Sequence, residues 1–196
     1  MGDIKSAREI AEEKLARIGE ATEEERLRWK YVPEGEMLGG KYIGEDCNLV
    51  VELESYEKDV RKHVIEGAGN ILIRNINLPK DDITKKNNRR AMDGLKALKS
   101  DKVSVENVYS KIRRIFNHYE QDGQQQRQQA YQALKADFTA KVQQAIAQQM
   151  GPVTGIKVDI EKQPQFQEEW RRVQAQLESQ YIRLLDEYKQ ELKAIA

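Results

Sequence analysis

The stretch "QDGQQQRQQAYQAL" at residues 121–134 decides the fold, because it is either a flexible linker between two domains or the middle of a long helix. Glutamine, arginine and alanine are good helix formers, and no proline interrupts the run. Gly123 is its only helix breaker, whereas flexible linkers are usually rich in glycine, serine or proline. We therefore expect residues 104–149 to form one continuous helix whose middle faces water.

Apolar residues on both sides of this stretch recur three or four positions apart, the spacing of one helical face. They are Val105, Val108, Ile112, Ile115 and Tyr119 before it, and Tyr131, Leu134, Phe138, Val142, Ala145 and Ile146 after it. A second series runs from Phe166 through Trp170, Val173, Leu177, Tyr181, Leu184, Tyr188 and Leu192 to Ile195. Long helices joined by a short connection usually fold back on each other. Residues 101–196 therefore predict a long antiparallel helical hairpin, with Trp170 packed near residues 142–146.

The first hundred residues predict a separate helical head. Capping boxes at Ser6–Glu9 and Thr22–Glu25 each start a helix, and the second helix should end near Tyr31. Pro33 and four glycines then make residues 32–45 the first loop.

Two more helices complete the head. One should begin with Asp46 as its N-cap and keep a helical period until Pro79, and a shorter basic helix should span residues 82–99. Ser104 then caps the next helix. The predicted fold is all-α and elongated, with a helical head at residues 1–100 and the coiled-coil-like hairpin at residues 101–196.

Composition limits the function classes. The chain has 39% hydrophobic and 34% charged residues, which suits amphipathic helices, and its 33 basic residues balance 33 acidic ones. A single cysteine excludes an intramolecular disulfide and indicates a reducing compartment. The N-terminus carries charge where a signal peptide needs an apolar run, and no apolar stretch could span a membrane. We expect a cytoplasmic protein without membrane insertion.

The motifs that could carry catalysis are weak. "GEMLGGKY" at residues 35–42 resembles a phosphate-binding loop, but Tyr42 stands where a hydroxyl should bind magnesium, and no strand precedes it. Cys47 and His63 could form a nucleophile and base only if the fold joined them, although the sequence places both on one helix about 24 Å apart. We expect no enzymatic activity, no metal and no cofactor.

The segment "KKNNRR" at residues 85–90 offers an alternative function. Lys85, Lys86, Arg89 and Arg90 could neutralise nucleic-acid phosphates. Aromatic residues that would stack on bases are missing nearby, and a solvated basic helix face is the commoner explanation. The patch could equally match the acidic N-terminal segment of this chain, or of a second copy in a dimer.

Strict alternation marks one further candidate site, at the turn of the predicted hairpin. Ile156, Val158 and Ile160 alternate with polar residues, which is the period of a strand. Either the three side chains pack under the turn, or the segment is an exposed edge that binds a strand of a partner protein.

The stretches "GDIKSAREIAEEK" at residues 2–14 and "EGAGNILIRNINLP" at residues 66–79 resemble a family of small uncharacterised bacterial helical proteins. This resemblance covers roughly the first eighty residues and implies a bacterial origin and a cytoplasmic location, but no activity. Taken with the helical pattern, the sequence predicts a non-enzymatic interaction or scaffold protein whose hairpin serves as an arm or spacer. Its partner would be another protein or a second copy of the chain, and nucleic-acid association is the alternative.

Overall fold

The computed structural model describes Ser6 and residues 21–45, 47–150 and 159–195, with residues 149 and 150 described by their backbone alone. Over these ranges the secondary structure is helical and contains no strand, so the predicted all-α class is confirmed. The helices are α1 (Glu23–Gly44), α2 (Leu49–Glu54), α3 (Lys58–Arg74), α4 (Asp82–Leu98), α5 (Lys102–Glu120), α6 (Asp122–Met150) and α7 (Pro164–Ala194).

The chain divides into two compact units. The first comprises Met1–Ile76, Lys86–Val105 and Ile195–Ala196, and the second comprises Asn77–Lys85 and Glu106–Ala194. The predicted capping box at Ser6–Glu9 lies outside the described residues, apart from Ser6 itself.

Helix α1 begins at the predicted capping box but continues far beyond the predicted end. The Glu25 amide donates to the Thr22 hydroxyl at 3.2 Å, and the Thr22 amide donates to the Glu25 carboxylate at 2.8 Å. The helix then passes through Pro33 and ends at Gly44, so the loop predicted for residues 32–45 is wrong. Gly35 and Gly39, which the sequence analysis interpreted as loop residues, are instead buried within α1.

Close packing between α1 and α3 explains why these glycines lie inside a helix. A Cβ atom on Gly39 would lie 2.9 Å from the carbonyl oxygen of Ala68, and one on Gly67 would lie 2.1 Å from the carbonyl oxygen of Val32. Such distances allow no side chain, so the two helices touch through their backbones. The packing gained at this crossing offsets the cost of about 1 kcal/mol that each glycine carries in a helix.

The single helix predicted between Asp46 and Pro79 is two helices. Asp46 lies outside the described residues, and the N-cap of α2 is Asn48, whose side-chain oxygen accepts from the Val50 amide at 3.2 Å. Residues 55–57 interrupt the helical backbone before α3, which ends at Arg74. The apolar period continued across this break because the side chains on both sides of it face the same core.

The core of the first unit combines α1 and α3 with α4, whose predicted span is confirmed. Fully buried side chains in this core are Val64, Ala68, Leu72, Ile76, Ala91 and Leu95. A Cβ atom on Gly94 would meet Leu72 at 2.9 Å and the Tyr42 ring at 2.7 Å, so α4 also packs through a glycine. Ile83 in the first turn of α4 is 74% exposed and does not contribute to this core.

Helix α5 begins earlier than expected. Asp101 caps it by accepting from the Ser104 amide at 3.0 Å, and the helix starts at Lys102. Ser104, which the sequence nominated as the cap, lies inside the first turn and donates its hydroxyl to Asp101 at 2.6 Å.

The glutamine-rich stretch is helical, although one residue divides it. Gln121 lies in a turn between α5 and α6. Its amide still donates to the Asn117 carbonyl at 3.0 Å, and its carbonyl accepts from the Gln125 amide at 3.2 Å. The backbone hydrogen bonding of a helix therefore continues across the turn, and the stretch is not a flexible linker. Most residues of the stretch are exposed, as predicted for a water-facing middle, but Gly123 is buried.

In the second unit, α7 lies antiparallel to α5 and α6. Tyr119 contacts Tyr181 with ring centroids 5.3 Å apart, while Tyr131, later in the chain, contacts the earlier Phe166 at 5.6 Å. Trp170 lies edge-on to Tyr131 at 5.0 Å, so its aromatic partner precedes the predicted contact at residues 142–146. Phe166 is almost fully buried beneath Tyr131 and Phe138.

Candidate functional site

A half-open apolar groove lies between α5 and α7 in the second unit, with a volume of about 840 Å³. Its floor consists of Ile115, Val173, Leu177, Tyr181, Leu184 and Tyr188. The five residues from α7 recur three or four positions apart, so they form one face of that helix. Leu184 remains 41% exposed, and the groove is therefore open to solvent along part of its length.

The ionisable groups on the rim of this groove are basic. Lys111, Arg114 and His118 line it, and among its described lining residues there is no aspartate or glutamate. Lys111 pairs with Glu191 at 2.7 Å and lies 5.2 Å from the centre of the Tyr188 ring. Arg114 is exposed and has no carboxylate within 4.0 Å in the described part of the chain. Lys111 and His118 each contact a carboxylate, of Glu191 and Asp122, so Arg114 is the cation on this rim that has no such partner among the described residues.

Three residues of the groove region, Tyr181, His118 and Asp122, form a hydrogen-bonded network, and the first two of them line the groove. His118 contacts the Tyr181 hydroxyl through Nδ1 at 2.8 Å and Asp122 through Nε2 at 3.2 Å. Burial raises the pKa of Tyr181, which keeps its phenol protonated at neutral pH. This hydrogen-bonded network is therefore suited to holding its side chains in position and not to generating a phenolate nucleophile. Sequence analysis missed it, although the spacing of four between His118 and Asp122 was visible.

A second, polar pocket of about 630 Å³ lies on another part of the second unit. We define this polar pocket by Lys80, Lys85, Tyr119, Arg127, Arg171 and Glu178. Glu178 is buried and accepts from Lys80 at 2.6 Å and from the Tyr119 hydroxyl at 2.9 Å. Burial and the neighbouring Glu178 carboxylate raise the pKa of Tyr119 to about 12. No sequence spacing signalled this network, because Lys80 and Glu178 are almost a hundred residues apart.

The structure divides the four basic residues of "KKNNRR" between different tasks. Arg90 donates to the Tyr42 carbonyl at 2.6 Å and to the Glu45 carbonyl at 2.5 Å, which satisfies backbone groups at the end of α1. Lys85 pairs with Glu120 at 2.6 Å. Lys85, Lys86 and Arg89 are exposed, whereas Arg90 is half-buried. Only part of the predicted phosphate-binding patch is therefore presented to solvent.

The predicted strand edge can be assessed at one of its three residues. Ile156 and Val158 lie outside the described residues. Ile160 is buried and begins a 3-10 turn that ends at Lys162. At Ile160, then, the segment is packed and is not extended.

The residues considered for catalysis do not form a reactive cluster in the described part of the chain. "GEMLGGKY" lies within α1 and is not a phosphate-binding loop. Burial raises the pKa of the Cys47 thiol, which disfavours the nucleophilic thiolate. His63 is buried in α3, and its Nε2 atom has no hydrogen-bond partner among the described residues. Over those same residues, no three His, Cys, Asp or Glu side chains group as metal ligands would.

Comparison with known proteins places the chain in a family. Residues 50–194 match a family described as a family of unknown function (DUF6657). The chain belongs to this family. The prediction of an uncharacterised family is confirmed, although the DUF6657 match covers residues 50–194, whereas the predicted resemblance covered roughly the first eighty residues. No curated protein and no solved structure matches the chain.

All lining residues of the groove and of the polar pocket lie within the DUF6657 match. Cys47 lies before the match begins. In the described residues of this family member, each helix is too short or too polar to cross a bilayer.

Proposed function

We propose that this DUF6657 protein is a non-enzymatic interaction protein that binds an acidic amphipathic helix of a partner protein in the groove between α5 and α7. The observation that supports this proposal is the combination of an apolar floor with a rim whose ionisable groups are all basic. Helices with one apolar face commonly bind such grooves through side chains spaced three and four residues apart. Acidic residues flanking that face would lie against Lys111, Arg114 and His118.

The length of the groove defines the size of the partner helix. The groove residues on α7 extend from Val173 to Tyr188. At 1.5 Å per residue this distance is about 22 Å, which matches a helix of about 15 residues. Charge on the rim would mainly determine which helix binds and how fast, while the apolar floor would supply most of the affinity.

The test uses two synthetic peptides that share one leucine pattern at helical spacing. One carries glutamate at its polar positions and the other carries lysine. We expect the acidic peptide to bind the full chain in a fluorescence anisotropy titration and the basic peptide not to bind. Equal binding of both peptides, or binding of neither, would reject the proposal.

Two variants on α7 locate the binding surface. Leu184→Glu introduces a charge into the floor, whereas Ile182→Glu does so on the same helix outside the groove. The Leu184 and Ile182 side chains are 41% and 44% exposed, so the two variants are matched in exposure. Leu184→Glu should abolish binding of the acidic peptide and Ile182→Glu should preserve it. If Ile182→Glu removes binding as well, the peptide does not occupy this groove.

A charge exchange tests the rim. Arg114→Glu should weaken binding of the acidic peptide at least tenfold and create binding of the basic peptide. Because Arg114 is exposed, the change should leave the melting temperature unaltered.

Sedimentation velocity of the unliganded chain identifies a competing occupant: dimerisation lost in Leu184→Glu would show that the groove binds a second copy instead.

The nucleic-acid alternative has its own measurement. Electrophoretic mobility shift at two salt concentrations should show no complex even at low salt, where phosphate contacts are strongest. A shift that disappears when Lys86 and Arg89 are replaced by glutamine would favour the alternative over the groove.

A further inference from the structure

The charges of the polar pocket are only partly balanced. Its lining includes four basic side chains and two carboxylates, and the two carboxylates are already paired. Lys80 contacts Glu178 and Lys85 contacts Glu120, each at 2.6 Å. Arg127 and Arg171 have no carboxylate within 4.0 Å among the described residues. Two guanidinium groups therefore give this concave surface an excess of positive charge.

Arg127 is held in place before any ligand arrives. Its guanidinium carbon lies 4.1 Å from the centre of the Tyr119 ring, and Nη2 donates to the Tyr119 carbonyl at 3.3 Å. Tyr119 is itself fixed, because it is 3% exposed and its hydroxyl donates to the buried Glu178. A side chain ordered in this way loses little conformational entropy on binding.

Helical spacing places the other polar groups on the same walls. Arg171 and Gln174 are three residues apart on α7, and Gln124 and Arg127 are three residues apart on α6, so each wall presents one arginine and one glutamine. A guanidinium group forms two parallel hydrogen bonds with a phosphate group. The side-chain amide of glutamine both donates and accepts, which suits the hydroxyl groups of a neutral ligand body.

We propose that the polar pocket binds a phosphorylated small molecule, with its phosphate group between Arg127 and Arg171 and its hydroxyl-bearing body along Gln124 and Gln174. A phosphate monoester carries close to two negative charges at neutral pH, which balances the two arginines. The volume of about 630 Å³ exceeds the needs of phosphate alone and falls in the range of small-molecule sites. The polar pocket and the groove share no lining residue.

Isothermal titration with glycerol phosphate and with inorganic phosphate tests the proposal on the full chain. We expect both to bind, and glycerol phosphate to bind more tightly because it also reaches the glutamines. Succinate at the same ionic strength serves as a dicarboxylate control and should bind at least tenfold more weakly. Absence of phosphate binding, or equal binding of succinate, overturns the proposal.

Adjacent arginines on α7 provide a matched pair of variants. Arg171→Gln removes a pocket guanidinium, whereas Arg172→Gln removes one that pairs with Glu168 outside the pocket. Both arginines are exposed, so both variants should retain the melting temperature of the parent protein. Arg171→Gln should weaken glycerol phosphate binding at least tenfold and Arg172→Gln less than twofold. Equal losses in both variants would indicate nonspecific attraction to α7 and would overturn the proposal.

Nuclear magnetic resonance of the side-chain amides gives a second, independent readout. The amide signals of Gln124 and Gln174 should shift when glycerol phosphate is added and remain unchanged in Arg171→Gln. Shifts confined to glutamines outside the pocket would show that the ligand binds elsewhere.

Discussion

The backbone of Gly35 lies directly against the carbonyl oxygen of Val64, since a Cβ atom on Gly35 would be 2.1 Å from that oxygen. Even a methyl group therefore cannot be accommodated unless α1 and α3 separate. Separation would loosen the packing of Val64 and Ala68, which are fully buried in the same unit. The contact between these two residues thus sets the distance between the two helices.

We predict that Gly35→Ala destabilises the protein by about 2 kcal/mol or more, because overpacking against rigid backbone outweighs the gain in helix propensity. Urea denaturation measures the change. Gly40→Ala is the control, since a Cβ atom at Gly40 meets nothing within 4 Å. That variant should gain up to about 1 kcal/mol of stability. If both variants behave alike, the helices are not in backbone contact.

Gly123→Ala should behave differently from both of these variants. Its Cβ atom would lie 3.1 Å from the Tyr181 hydroxyl and 3.2 Å from Nη1 of Arg127, which are the ends of flexible side chains. Small movements can relieve these contacts, but they disturb the hydrogen bond between Tyr181 and His118. We expect the free energy of unfolding to change by less than about 0.5 kcal/mol, because the gain in helix propensity is offset. A gain in stability as large as that of Gly40→Ala would contradict this expectation and would support the water-facing position of Gly123 that the sequence predicted.

The helical class and several helix starts were predictable because they depend on local chemistry. The apolar period, the Thr22–Glu25 capping box and the favourable composition of the glutamine-rich stretch each act over a few residues. Gly35 and Gly39 were misread because the sequence shows a weak helix former but not the neighbouring helix that requires it. Their role depends on α3, which lies about thirty residues further along the chain.

The candidate sites were harder to predict for the same reason. The apolar residues of the groove floor were predictable from the series that begins at Phe166. The open side of the groove was not predictable, because it depends on the neighbouring residues that leave Leu184 exposed. The polar pocket depends on Lys80 reaching Glu178 across the sequence, and such a pairing has no local signature. Arg90 looked like a solvated cation and in fact binds two backbone carbonyls.

We expect the Arg90 side chain to stabilise the fold and the adjacent Arg89 side chain to contribute little to stability. Arg90→Ala leaves the carbonyls of Tyr42 and Glu45 without their donor, and hydrogen bonds from a charged group contribute about 1.5–3 kcal/mol. We predict a loss in that range for Arg90→Ala by urea denaturation. Arg89→Ala should change stability by less than about 0.5 kcal/mol, because Arg89 is exposed. Similar losses in the two variants would contradict the capping role.

The raised pKa of Tyr119 predicts how stability depends on pH. Tyr119 has a pKa of about 12 when folded, compared with about 10 for a tyrosine in the unfolded chain. Between these values the unfolded chain releases the phenolic proton while the folded protein retains it. The contribution of Tyr119 is therefore complete below about pH 10 and is lost as the pH rises toward about 12.

Tyr119→Phe isolates this contribution. At neutral pH the variant should lose about 0.5–1.5 kcal/mol, the usual value of one hydrogen bond, while Glu178 keeps Lys80 as its partner. Its stability should then decline less steeply than that of the parent protein between about pH 10 and 12. Parallel declines in the two proteins would mean that Tyr119 titrates normally.

The aromatic contact between Tyr131 and Trp170 provides the last prediction, because it fixes how α6 and α7 align. Their ring centroids are 5.0 Å apart with an interplanar angle of 76°, the edge-on geometry that adds about 0.5–1.5 kcal/mol beyond burial. A double-mutant cycle with Tyr131→Leu and Trp170→Leu should therefore give a coupling energy of about 0.5–1.5 kcal/mol. The cycle with Val142→Ala and Trp170→Leu should give less than about 0.5 kcal/mol, since Trp170 packs its ring near Tyr131. Coupling to Val142 and not to Tyr131 would instead support the alignment that the sequence alone predicted.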